Sequence, residues 1–254
     1  MPQQSVDLNA DFGEGFGSYT FGQDEALLPY ITSANIACGF HAGDPHTMRN
    51  AVNSCIEAGV AIGAHPGLPD RMGFGRREMA ITPQEAYDFV LYQTGALEAF
   101  VRSKGGRLRH IKPHGALYHM ANQQAEIAHA IARAVRDMDP QLLLYAQSGS
   151  LLLEAAKSAG LRTVSEVFAD RTYQSDGNLT PRSKPNAVLT TTDDALRQAI
   201  RMVTQGTVQA TDGREAAIVA HTICLHGDGP HAAQWAAAIR QGLEAESIRI
   251  QAPF

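Results

Sequence analysis

Val6-Asp7-Leu8-Asn9-Ala10-Asp11-Phe12-Gly13-Glu14 alternates apolar with polar residues and then runs into a glycine-loosened, carboxylate-bearing turn. Alternation with a period of two reads as a β-strand. Asp7, Asn9 and Asp11 then share one face, provided the strand persists as far as Asp11. Six further apolar runs stop at polar clusters in the same way: at 35–44 (NIACGFHAGD), at His65 (AHPG), at 112–114 (KPH), at Ser148 (QSGS), at 166–171 (EVFADR) and at 226–228 (HGD). Reactive side chains at the carboxyl ends of successive strands are the arrangement of a β/α barrel, whose active site gathers at one mouth.

Strand-like runs fall near 6–10, 33–38, 60–64, 108–112, 142–146, 163–168 and 217–225, and helical patterns near 23–30, 45–58, 83–104, 123–138, 148–159, 192–204 and 230–245. Thr82, Pro83 and Glu85 together make a helix start with a capping box. Asp44-Pro45 and Gly229-Pro230 open helices similarly, and the Gln147–Ser150 tetrapeptide caps the one that follows it. Strands alternating with helices imply parallel strands joined by crossovers. Seven strands suit either an incomplete barrel or an open doubly wound sheet. Polar clusters after nearly every strand favour the barrel, since an open sheet gathers its chemistry at one switch point. Three long connections, 10–23, 66–82 and 168–191, follow strands and are expected to overhang the site.

The 254 residues suit one barrel domain spanning 1–254, because such barrels commonly take about 250 residues. A net charge of −5 gives no basic surface for nucleic acid. Cys38, Cys55 and Cys224 are too few and too scattered for a disulfide framework or a Cys-x-x-Cys zinc site. No run approaches the roughly 20 apolar residues of a membrane span, and the first residues do not form a secretory signal. The expectation is a soluble, cytoplasmic protein.

Buried carboxylates need a partner, so Asp7, Asn9 and Asp11 are awkward as plain scaffold; an internal hydrogen-bond network remains open for Asp7, less so for Asp11 and Glu14 nearer the mouth. His41, His65, His114 and His226 each follow a different strand. They are candidates for metal ligands, a general base or oxyanion donors. His110 and His114 lie roughly 13 Å apart along an extended strand and cannot grip one ion as a helical pair does. No local zinc motif is present, so no metal is assigned. Lys112 offers a Schiff-base nucleophile, an electrophile, or an ion pair with Glu166 or Asp170. Arg76, Arg77 and Arg171 can clamp a carboxylate or phosphate, with one of the adjacent pair left to solvent. Gly73-Phe74-Gly75 marks close backbone approach. The chain has no Gly-x-x-x-x-Gly-Lys-Ser/Thr phosphate loop. Cys38 reads as a small buried thiol.

VDLNADFGEGFG, ITSANIACGFHAGDP, GAHPGLPDRMGFGRRE, YQTGALEA, HIKPHGALYH, EVFADRTYQSDGNLTPR and HTICLHGDGP, in this order over about 6–250, resemble the LamB/YcsF family. Gly229 and His231 depart from the family pattern. The resemblance implies a distorted, TIM-like seven-stranded barrel related to glycoside hydrolases and polysaccharide deacetylases. It also implies ATP-dependent opening of the 5-oxo-L-proline lactam to L-glutamate, with ATP as co-substrate and two partner subunits, B and C, of a 5-oxoprolinase. On that chemistry Asp11 or His65 is the expected base, Lys112 and His114 stabilise charge, and Arg76 or Arg171 meets the substrate carboxylate. Glu14, Asn35, His41, Asp44, Glu166, Asp170 and His226 are expected to bind substrate. The residues alone leave two other readings open: a stand-alone metal-dependent deacetylase or amidohydrolase, and a non-catalytic carbohydrate-binding subunit.

Overall fold

The computed structural model describes residues 4–22, 24–225 and 232–254. In chain order its strands are β1 (Ser5–Phe12), β2 (Ser33–Ala37), β3 (Ala61–His65), β4 (Leu108–Ile111), β5 (Leu143–Gln147), β6 (Arg162–Phe168), β7 (Thr207–Gln209), β8 (Glu215–Ala217), β9 (Thr222–Leu225) and β10 (Arg249–Ile250). The helices are α1 (Asp24–Leu27), α2 (Pro45–Ala58), α3 (Pro83–Ser103), α4 (Gly115–Gln123), α5 (Ala125–Met138), α6 (Leu151–Ser158), α7 (Thr192–Gln205) and α8 (Ala232–Ala245). Strands β1 to β6 pair parallel in order, and β9 closes the ring by pairing with both β6 and β1. The result is a closed seven-stranded parallel barrel.

The alternation in β1 explains how this barrel is filled. Val6, Leu8, Ala10 and Phe12 are buried in the same apolar layer as helix residues such as Val52, Val90 and Leu97. Asp7 and Asn9 turn the other way and bond to Tyr145, Thr222, Asn35 and Glu166 across the barrel. The apolar faces therefore lie between strands and helices, where each fully buried Val, Leu or Phe contributes roughly 1.5–3 kcal/mol. The interior is polar, and its groups must satisfy one another.

Helix starts follow their sequence signals. Thr82 and Glu85 complete a capping box on α3, Asp44 accepts from the Thr47 amide at the start of α2, and Ser150 accepts from the Leu153 amide on α6. Two expectations need correction. The segment 115–123 is a separate helix, α4, so the helical region begins eight residues before 123 and is interrupted at Gln124. The run 217–225 is two elements: β8 pairs antiparallel with β7 as a hairpin outside the barrel, and only β9 belongs to the ring. Gly206, at φ 66°, ends α7 in the left-handed region and lets the hairpin begin at once. All three long connections do leave the carboxyl ends of barrel strands.

Candidate active site

The interior is layered from a rigid floor to an ionised mouth. At the floor the Asp7 carboxylate accepts from four hydroxyls: Thr32 at 2.6 Å, Ser33 at 2.8 Å, Tyr145 at 3.0 Å and Thr222 at 2.6 Å. Burial pushes its pKa up, against the pull of these donors. A carboxylate so fully occupied ties β1 to β2, β5 and β9, so Asp7 is scaffold. His110 stacks on Tyr145 with centroids 4.1 Å apart and donates Nε2–H to Asn35 Oδ1 at 2.8 Å. It fits only because residue 63 is glycine, where a Cβ would stand 2.1 Å from the ring.

One layer up, Asn9 donates to Glu166 at 3.1 Å and to Thr222 at 2.7 Å, while its carbonyl accepts from Asn35 at 2.8 Å and Lys112 at 3.2 Å. Lys112 is 3 % exposed and its Nζ lies 3.0 Å from Asp11 Oδ1 and 2.9 Å from Glu166 Oε1. Burial alone would lower its pKa, but Asp11 and Glu166 hold it well above the ordinary lysine value. A Schiff-base lysine must lose its proton, so this geometry favours a fixed cation. Tyr118 donates to the second oxygen of Glu166 at 2.7 Å.

At the mouth, Asp11 Oδ2 stands 3.2 Å from His65 Nε2. Burial would raise the Asp11 carboxyl, yet the charges of His65 and Lys112 hold it well below the usual carboxylate range. His65 Nε2 is 2.9 Å from His114 Nδ1, and Glu14 Oε1 lies 3.2 Å from His41 Nε2 and 3.6 Å from His114 Nδ1. His41 and His114 stack in parallel, with centroids 3.7 Å apart. Burial, together with neighbouring histidines, pulls His114 down to about 3 and His41 well below its ordinary value, so both rings are neutral at pH 7. Gly75, at φ +64°, makes this packing possible: a Cβ there would sit 2.7 Å from His41 Cβ and 2.8 Å from His114 Cδ2.

The mouth opens into a cavity of about 540 Å³, lined by Asp11, His65, Lys112, His114, Arg76 and Arg171 together with residues 174 and 178–183 of the long loop after β6. The expected catalytic group of Asp11, His65, Lys112 and His114 therefore converges. Arg76 lies on the cavity wall, its guanidinium 5.0 Å from the Phe74 ring centroid. Arg77, exposed like its neighbour, is bound to Asp70 on the loop surface.

Other expected substrate ligands take different work. Asn35 and Glu166 are fully buried in the network and do not line the cavity. Glu14 and His41 do not line the cavity; they meet His114, Glu14 at 3.6 Å from Nδ1 and His41 by stacking on its ring. Asp44 caps α2 and accepts from the Gly17 amide at 2.7 Å, which holds its pKa at about 2. Asp170 accepts from Leu189 through its backbone and is not on the cavity wall. Arg171 lines the cavity but spends its guanidinium on the carbonyls of Ala187 and Thr180, 3.1 and 2.6 Å away. It ties the long loop down. His226 lies outside the described residues. The cavity also holds Tyr118, His119 and Arg182, which the sequence reading did not single out. Tyr118 and His119 belong to the unexpected helix α4, and an apolar pattern of Ala116, Leu117, Met120 and Ala121 was the available signal for it.

Together these features define a β/α-barrel protein with an ionised, histidine-rich pocket at its strand ends. The LamB/YcsF family profile matches residues 6–254, and the chain belongs to that family. It is 56 % identical to the A-subunit of 5-oxoprolinase from Geobacillus kaustophilus, over 98 % of this chain and 97 % of that one, and 56 % identical to its counterpart from Bordetella pertussis, over 98 % of each. The crystal structure of a lactam utilization protein from Thermus thermophilus superposes with a TM-score of 0.94 at 48 % identity, covering 98 % of this chain and all of the other. A putative cellobiose-phosphate cleavage protein of Enterococcus faecalis, at TM-score 0.55 and 16 % identity, covering 98 % of this chain and 97 % of the other, shares the fold.

Proposed function

We propose that this chain is the barrel subunit of an ATP-dependent 5-oxoprolinase, which opens 5-oxo-L-proline to L-glutamate together with partner subunits B and C. The 56 % identity across almost the whole chain to proteins named as A-subunits of 5-oxoprolinase carries this reading. The pocket chemistry supports it. A five-membered lactam is a stable amide, and moving the γ-phosphoryl of ATP onto its carbonyl oxygen makes the ring carbon electrophilic. Water then adds to that carbon, the C–N bond breaks as nitrogen takes a proton, and a second water releases phosphate from the acyl phosphate. The products are glutamate, ADP and phosphate.

Asp11, held ionised at the cavity wall, accepts the proton of the attacking water. Lys112, fixed between Asp11 and Glu166, keeps that carboxylate charged and adds a positive charge beside the reacting oxygens. His114 lines the wall beside these two, and Arg76 on the wall meets the carboxylate of the substrate. Lacking a phosphate loop of the Gly-x-x-x-x-Gly-Lys-Ser/Thr type, the chain is assigned the lactam, and phosphoryl transfer is assigned to the assembled complex. Asp11→Asn, Lys112→Met and His114→Ala, each assayed for glutamate release in the reconstituted three-subunit enzyme, are expected to lose at least about 100-fold in turnover. Near-normal release by all three would remove the scheme.

A further inference from the structure

Two histidines at the mouth have their tautomers set by carbonyl groups. His65 Nδ1 lies 2.7 Å from the Lys112 carbonyl oxygen, and His114 Nε2 lies 2.8 Å from that of Phe74. A carbonyl only accepts, so these two nitrogens carry the hydrogens. Wherever neither ring carries an extra proton, the other two nitrogens, His65 Nε2 and His114 Nδ1, present lone pairs to each other across 2.9 Å. Two lone pairs at that distance repel unless a positive centre sits beside both.

The surrounding atoms fit a metal ion. The ligand atoms of Glu14, His41, His65 and His114 all lie within 4.8 Å of one another, and all four residues are buried. With metal–ligand bonds of about 2.1 Å, neighbouring ligands on one ion stand about 3.0 Å apart at right angles and about 3.4 Å apart at the tetrahedral angle. The 2.9 Å between His65 Nε2 and His114 Nδ1, and the 3.6 Å between His114 Nδ1 and Glu14 Oε1, fall close to either side of those edges. We propose that His65 Nε2, His114 Nδ1 and Glu14 Oε1 bind one divalent transition-metal ion at the barrel mouth, facing the cavity.

His41 acts as an outer partner. Its ring is parallel to that of His114 at 3.7 Å, so the two rings' in-plane lone pairs do not converge on one point. It donates Nε2–H to Glu14 Oε1 at 3.2 Å and orients that carboxylate. The carbonyls of Lys112 and Phe74 play the same part for the two histidines, as the outer partners of metal-bound imidazoles commonly do. Two imidazoles and one carboxylate favour zinc, cobalt or manganese over magnesium, which prefers oxygen. The ion is thus distinct from any magnesium that accompanies ATP. Asp11 Oδ2, 3.2 Å from His65 Nε2, borders its cavity side. A bound ion there would lower the pKa of a coordinated water.

The site rests on geometry alone and stands or falls separately from the lactam reading, because the test measures binding. The untagged full-length chain, stripped with chelator and dialysed, is titrated with Zn²⁺ by calorimetry at about pH 7.5, and with Co²⁺ by visible absorption. One equivalent per chain is expected, with ligand-field bands of a nitrogen-containing site. The His65→Ala/His114→Ala double variant, checked for folding by circular dichroism, should bind more than about 100-fold more weakly, and His41→Ala about 10–100-fold more weakly. His46→Ala, an exposed histidine on α2, should change nothing. Imidazole ¹⁵N spectra of the unaltered chain keep the test independent of variant folding: zinc should shift His65 Nε2 and His114 Nδ1. No stoichiometric uptake by the unaltered chain, with a shared proton between the two rings instead, would overturn the proposal. Equal uptake by the folded double variant would overturn it as well.

Discussion

Replacing Lys112 by Met removes the one ammonium that the interior is built around while nearly keeping its volume. In the native chain Nζ meets Asp11 at 3.0 Å, Glu166 at 2.9 Å and the Asn9 carbonyl at 3.2 Å, at 3 % exposure. Without it two carboxylates face each other, Glu166 fully buried and Asp11 at the cavity wall. Removing one partner of a buried pair costs about 3–5 kcal/mol, and here one of the two carboxylates relieves the strain by taking up a proton. The pH dependence should therefore reverse in sign. In the native chain Asp11 titrates well below its unfolded value of 3.8, so its stabilisation is present above that value and is lost as pH falls through the depressed one. In Lys112→Met a buried carboxylate titrates above its unfolded value, so the deficit is largest near pH 7 and shrinks as pH falls toward about 5. Adding Glu166→Gln to Lys112→Met removes the excess negative charge and should recover at least about 1 kcal/mol. Urea unfolding at about pH 5, 6 and 7 measures all of this. A loss below about 1 kcal/mol at pH 7, with the native slope, would show that the pair is not the buried network described.

Three further outcomes follow from other parts of the interior. His110, whose folded pKa is held at about 3 by burial with help from Lys112 and His65, binds fewer protons than the unfolded chain between its usual 6.5 and about 3. Stability should fall across that window as pH drops, with His110 contributing up to about 1.4 kcal/mol per pH unit, and His110→Gln should flatten the slope in equilibrium unfolding. Gly75→Ala places a Cβ against His41 and His114 at a positive φ; a loss of about 1–3 kcal/mol is expected in thermal or urea unfolding. Arg171→Ala frees the carbonyls of Thr180 and Ala187, and limited proteolysis should then cut within 172–187 several-fold faster while global stability changes by no more than about 1–3 kcal/mol.

The barrel was readable because its first strand alternates and polar clusters end its apolar runs, and β1 persisting to Phe12 put Asp7, Asn9 and Asp11 on one interior face. What escaped reading depends on tertiary partners. Helix α4 begins at Gly115, and its N-cap residue, His114, follows Pro113 and makes no side-chain cap bond, so its start carries none of the usual signals. The segment before β9 is apolar enough to read as one strand, and only its pairing with β7 shows it to be a hairpin. Asp44 carried both a capping and a binding reading, and the Thr47 amide takes it. Asp7 and Asp11 are alike in sequence, yet four hydroxyls surround one and an ammonium and an imidazole meet the other. The histidine cluster joins residues from four separate segments, which spacing along the chain cannot disclose.

Whether the chain opens a lactam as one part of a larger enzyme is decided by glutamate release from 5-oxo-L-proline, followed with the chain alone and with subunits B and C, each with and without ATP. Glutamate should form only when all three proteins and ATP are present, with one ADP per glutamate. Chelator-sensitive lactam opening by this chain alone, without ATP, would contradict the proposed role, as would full activity of subunits B and C in its absence.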